Sequence, residues 1–229
     1  MRALRTLLIL AVVLGGIFVL VDRLAVNYAE SEAADRIRLS QGTVGSKEVS
    51  IGGFPFLTQV LGKELDEVDV KLTDLQATAG NRPVRITEMN AALRDVKIGG
   101  NFSSAVAATA TGTARISYAD LSRAAEENIT VAYGGSNKVK VTGSVTVLGR
   151  SLTRSVVSSV SLVDGSTIRV HADEVPGEGI PGLEDLVRKR TDFDRRIGGL
   201  PSGLKLTKVE PKPDGVEITV TGSNVVLAG

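Results

Sequence analysis

The chain has no cysteine and no tryptophan, and only one histidine among its 229 residues. Without cysteine there is no disulfide, no thiol nucleophile, no thiolate ligand for zinc and no lipid-modified cysteine anchor. One histidine cannot build a usual zinc site or a His-based triad. Aromatic residues make up 3% of the chain, too few for the stacking platforms that hold single-stranded nucleic acid. The formal net charge is +1, so no overall field gathers a polyanion. Acid pairs such as Glu126-Glu127 and Asp192/Asp194 sit among basic residues and read as solvated surface. His171 falls on the polar face of a strand and reads the same way. Gly177–Gly182, GEGIPG, matches the dinucleotide fingerprint by letter. Pro181, Glu178 and the lack of any alternating strand–helix pattern reduce it to a loop. No recognisable nucleophile or acid–base set remains, and neither an enzyme, a cofactor nor a nucleic-acid partner is expected.

What is present begins at the N-terminus. Arg2 and Arg5 precede the uncharged run Thr6–Val21, TLLILAVVLGGIFVLV, which Asp22 and Arg23 end. The run is slightly short for a spanning helix and slightly long for the core of a signal peptide. No small-x-small cleavage site follows directly; the nearest, Ser31-Glu32-Ala33, lies well beyond it. Residues 1–22 are therefore read as an uncleaved anchor in the cytoplasmic membrane, with a cleaved signal as the alternative. In both cases the two arginines hold the N-terminus in the cytoplasm and the rest of the chain lies outside, in a periplasm-like space.

Residues 23–41 predict an amphipathic helix leading into the domain, with Val26, Ala29, Ala33 and Ile37 recurring at three and four. After Gly42 the period becomes two. Val68, Val70 and Leu72 share a face, as do Val139, Val141, Val145 and Val147, then Ile168, Val170 and Ala172, then Val216, Ile218 and Val220. These are half-buried antiparallel strands. Turns at Gly149-Arg150 and Asp164-Gly165 make Lys138–Val175 a three-stranded meander, and Asp214-Gly215 marks another turn. Two short helices are expected, SYADLSRAAEEN with Ser117 as N-cap and GLEDLVRKR around Leu186. Ser103–Ala114 contains only Ala, Ser, Thr, Val and Gly, and small residues on a strand leave space where a core is normally filled. With no composition break, residues 42–229 read as one β-rich domain. Long strands with aliphatic inner faces favour a strongly curved sheet able to contain hydrocarbon, although a fully packed core fits the same periodicity.

The fragments GGFPFLTQVLG, ISYADLSRA, VTVLGRS and GGLPSGLKLTKVEPKPDGVEITVTGSNVVL occur in this order. Together they resemble the LmeA-like family of actinobacterial cell-envelope proteins, over nearly the whole chain. The resemblance implies an α+β fold similar to half of a tubular lipid-binding protein, with a strongly curved antiparallel sheet wrapped around a long helix. It implies phospholipid as ligand, with phosphatidylinositol the named candidate, and a link to lipomannan-type glycolipid assembly. The function expected is non-enzymatic binding of phospholipid, acyl chains sheltered in an aliphatic cavity. The alternative is a membrane-anchored scaffold for an envelope protein such as a glycosyltransferase.

Scarce aromatic residues are concentrated in Ile51–Gly62, IGGFPFLTQVLG. Pro55 suits the first position of a helix and Gly62 its end. Phe56 pairs with Val60 and Leu57 with Leu61 at a spacing of four, so the helix is apolar nearly all round. It is either a plug closing the core or a mouth touching acyl chain or bilayer. The candidate lipid-binding residues are Phe54, Phe56, Leu57, Val60 and Leu61 here, Val106 and Ala110 on the small-residue strand, and Leu121. Arg188, Arg190 and Arg195 are candidates for an anionic headgroup, since guanidinium binds phosphate bidentately; a solvated basic face is the alternative.

Overall fold

The structure, a computed structural model, describes residues 2–37, 44–79, 82–99, 104–125, 128–147, 150–173, 192–197 and 200–228. Helix α1, Arg2–Arg36, carries the apolar run straight through Asp22 without a break. Strand β1 (Ser46–Gly52) and helix α2 (Phe56–Gly62) follow, then β2 (Glu64–Ala79), β3 (Arg82–Gly99) and β4 (Ser104–Ile116). Helix α3 (Tyr118–Ala124) leads into β5 (Ile129–Gly135), β6 (Lys138–Val147), β7 (Arg150–Asp164), β8 (Thr167–Ala172) and β9 (Phe193–Arg196). Strands β10 (Leu204–Lys212) and β11 (Gly215–Ala228) close the described chain.

The strands form two antiparallel sheets, one in the order β1-β2-β3-β4-β11-β10 and the other β5-β6-β7-β8-β9. The predicted meander is β6-β7-β8; Arg150, expected in the first turn, is already paired with Val147 at the start of β7, and Asp164 pairs with Thr167. The second turn sits one residue later than expected, on Gly165-Ser166, because the Asp164 carboxylate accepts the Ser166 N–H at 2.8 Å and stays in the strand pair. Helix α3 begins as predicted: Ser117 Oγ accepts the Asp120 N–H at 3.1 Å. The helix expected around Leu186 and the GEGIPG loop lie outside the described residues.

A feature of the six-stranded sheet departs from simple alternation. Leu72 and Leu75 are both buried, as are Leu93 and Val96, although each pair is three residues apart. Between them stand Asp74 and Asp95 with positive φ, 53° and 49°. Asn224, φ 51°, does the same before fully buried Val225 on β11. A left-handed residue reverses which face the next side chain meets, and Asp and Asn tolerate that region best. Asp66, Asp95, Ala108 and Asn224 drop out of the pairing together, so one change of face runs as a line across β2, β3, β4 and β11, while Asp74 drops out opposite Thr87 in a separate irregularity between β2 and β3.

Beyond that line Leu65, Val96, Ala107 and Val225 join Leu93 and Ala110 in one apolar cluster. Val26, Ala25 and Ala29 of α1 and Phe56 and Val60 of α2 pack on it. A second cluster, Val139, Val160, Val170, Val209 and Val216, fills the junction of the two sheets beneath Tyr118 and Leu121. The fold is α+β with an apolar N-terminal helix and antiparallel sheets. Neither sheet closes into a barrel among the described residues, and α1 meets the large sheet at one end, against β1 and α2.

Candidate lipid-contacting joint between α1 and α2

Helix α2 is held where the apolar run of α1 stops. Asp22, the first charged residue after that run, is 0% exposed. Its Oδ1 accepts the Leu57 N–H at 2.8 Å, so a residue 35 positions away in sequence caps α2. Pro55 adopts an extended conformation (φ −78°, ψ 140°) and stands just before the helix. It is not the first helical residue expected from the sequence, because the helix is capped from α1 and needs no side chain of its own loop. The second carboxylate oxygen of Asp22 is buried without a partner among the described residues.

The other restraints are equally specific. Gln59 Nε2 donates to Gly52 O at 3.2 Å while its Oε1 accepts the Asp66 N–H at 2.8 Å, tying α2 to β1 and β2. Glu30 Oε1 accepts the Ile51 N–H at 2.7 Å and ties α1 to the same corner. Gly53 adopts φ +89°, and a Cβ there would lie 2.5 Å from Gln59 Nε2. The positive φ favours glycine there, and a side chain would also have to displace the Gln59 amide from its hydrogen bonds. Past the helix, Lys63 is left-handed, and its carbonyl accepts the Ile98 N–H at 2.9 Å.

These contacts divide the stretch into two faces. Phe56 is 6% exposed and sits in the apolar cluster with Val60 beside it. Phe54 is 53% exposed and Leu61 84% exposed, with Leu57 half-buried between the faces. The Arg23 guanidinium lies 5.3 Å from the Phe54 ring centroid, within cation–π range. The stretch thus has one face buried in the core and one face exposed. The remaining candidates are scattered. Ala110 and Ala107 are buried in the same cluster as Phe56. Val106, on the opposite side of β4, faces Val226 and Lys97. Leu121 packs in the second cluster, with the smaller sheet. Arg188 and Arg190 lie outside the described residues, and Arg195 is on β9 opposite Ile168.

The acids of the basic segment have other partners. Asp194 takes a two-pronged ion pair from Arg169, at 2.7 and 2.6 Å. This holds its pKa below the usual carboxylate range. Asp192 accepts the Ala172 N–H at 2.9 Å and lies 2.7 Å from His171 Nδ1.

An open groove of about 490 Å³ lies across β1–β4 and β11. Its lining combines Glu48, Asp69, Lys71 and Asn90 with Val70, Ala91, Ala92 and Gly112. The small-residue strand therefore does border free volume, but on the polar side of the sheet. Its alanines on the other side are packed. Thr111 and Thr113 alternating with Ala110 and Gly112 were the signal for the groove. Among the described residues no group of three or more His, Asp or Glu is placed to hold a metal ion.

A family model described as LmeA-like phospholipid-binding matches residues 20–221. The chain belongs to the LmeA-like phospholipid-binding family. No curated protein and no solved structure matches it. The LmeA-like region opens at Leu20, inside the apolar run, so it takes in Asp22, Val26 and all of α2.

Proposed function

We propose that this chain is a non-enzymatic phospholipid-binding protein held in the cytoplasmic membrane by α1, with its domain on the extracytoplasmic side. The observation that carries the reading is the two-faced α2, seated on an aliphatic core and bare on the other side, at the place where the apolar helix leaves its spanning segment. The family assignment supplies the ligand class. Acyl chain is taken up at this joint, between α2 and the alanine-lined end of the large sheet. Phe54, Leu57 and Leu61 form the approach, and Phe56, Val60 and Ala110 the inner wall.

Two magnitudes bear on this uptake. Sheltering a sixteen-carbon chain from water is worth about 12 kcal/mol, at about 0.8 kcal/mol per methylene. Lifting Phe56 out of its packing costs about 3–5 kcal/mol on the scale of buried Phe truncations. A lipid arriving from a bilayer gains none of the first quantity, so loading is easiest when the lifted helix passes its own apolar face to lipid. Phosphatidylinositol as ligand, and support of lipomannan-type assembly, remain finer readings of the same site.

A phospholipid carrying a diazirine in its acyl chain tests the proposal. Irradiated with the full chain in vesicles, it should label residues 54–61 and 105–110. Label confined to Thr6–Val21, which bathes in lipid regardless, would contradict it.

A further inference from the structure

The length of the apolar run does not match the bilayer it is read as crossing. Thr6–Val21, about 16 residues, rises about 24 Å as a helix. The hydrocarbon layer is about 30 Å thick. The deficit corresponds to about four residues at 1.5 Å each, which places the edge of the hydrocarbon near Ala25. Asp22 falls inside that gap. A carboxylate there would normally draw the surface inward, but this one is fully buried under α2 and meets neither lipid nor water.

The other face of α1 continues the apolar surface outward. Leu24 and Tyr28, one turn apart, are exposed on the side away from the domain. Tyrosine at such a level belongs to the belt of aromatic side chains found at membrane interfaces. On the domain side the same level is occupied by α2, bonded to Asp22, with Phe54 and Leu61 bare. The Arg23 guanidinium lies over the exposed Phe54 ring, and a long cationic side chain beside an apolar ring can keep its charge at the headgroup level while its stem lies in lipid. Thinning of the bilayer would also relieve the deficit, but it would leave all four apolar side chains in water.

We propose that α2 is a membrane-embedded seat. Together with Leu24 and Tyr28 it sinks into the headgroup–acyl boundary of the leaflet on the domain's side. It completes the hydrophobic length of α1 and fixes the domain against the bilayer. The occupant of the bare face is the lipid surface itself. This rests on the reading of α1 as a retained anchor.

The absence of native cysteine allows single-cysteine labelling with an environment-sensitive dye. The full chain is reconstituted in phosphatidylcholine/phosphatidylglycerol vesicles as Leu61→Cys, Tyr28→Cys, Val13→Cys within the span, and Thr111→Cys in the polar groove. Labels at Leu61 and Tyr28 should emit at blue-shifted wavelengths. Lipids brominated near the glycerol end of the acyl chain should quench them more strongly than lipids brominated deep. Thr111 should report water. Water-like emission from Leu61 or from Tyr28, with Val13 quenched by lipid, overturns the seat and leaves the anchor standing. A Val13 label that lipid does not quench overturns the anchor reading, and the seat with it.

Discussion

Truncating the two faces of α2 separately should give opposite results. Phe56 is 6% exposed and touches the cluster that joins α1 to the large sheet. Removing a buried phenylalanine ring typically costs about 3–5 kcal/mol, part lost transfer energy and part cavity. For a chain of this size each kcal/mol moves the melting temperature by about 2–4 °C. Phe56→Ala should therefore melt about 6–20 °C lower. Leu61 is 84% exposed, and an exposed substitution typically stays within about 0.5 kcal/mol. Leu61→Ala should melt within about 2 °C of the parent by the same conversion. Far-UV circular dichroism is the suitable probe, because the chain has no tryptophan. Uptake of a fluorescent phospholipid, measured on the same samples at a temperature where both are folded, should fall for Leu61→Ala. If Leu61→Ala unfolds as early as Phe56→Ala, the outer face is packed and the two-faced helix is wrong. If Phe56→Ala melts with the parent, the ring is no plug.

Three further outcomes follow from named contacts. Asp22→Ala removes the acceptor of the Leu57 N–H and should cost about 1–3 kcal/mol. Amide exchange should accelerate selectively across Leu57–Leu61, while Asp22→Asn, which keeps an acceptor, should be protected. Ala107→Leu and Ala110→Leu place bulk in filled space and should lower stability by about 1–3 kcal/mol; a neutral or stabilising result would reveal free volume beneath α2. Tyr118 donates its hydroxyl to Lys212 O at 2.7 Å, and burial pushes its pKa up to about 12. A raised folded pKa means stability fully present below the unfolded value of about 10 and lost as pH rises from there toward about 12. The parent should lose more melting temperature than Tyr118→Phe across that window, and equal losses would place Tyr118 in water.

Much of the sheet could be read from alternation. Val68, Val70 and Leu72 share a face, and the meander from Lys138 has its tight turns, because a half-buried strand must place every second side chain inward. The reversals could not be read that way. LRDV, LTDL and SNV each put an Asp or Asn before a buried aliphatic. They look like ordinary polar breaks until the apolar spacing of three is noticed. The stretch Ile51–Gly62 was visible as unusual from its phenylalanines. Its division into two faces depends on Asp22 and Glu30, which meet α2 and β1 only in three dimensions. Long-range caps of this kind have no local signature, since any acid at the end of an apolar run looks like a span boundary. The polar groove went unread for a similar reason. Small residues announced space on β4, but which side it opened on depended on the packing of Ala107 and Ala110 under α1 and α2.

The central claim is that a phospholipid is bound, and native mass spectrometry of the full chain tests it most directly. The protein, extracted from bacterial membranes in a mild detergent, is stripped of its micelle in the instrument. The account predicts a species heavier by the mass of one phospholipid that survives stripping, and that is depleted in the Leu61→Ala and Leu57→Asp variants. Bare protein as the sole species at every lipid load, from folded material, would contradict it.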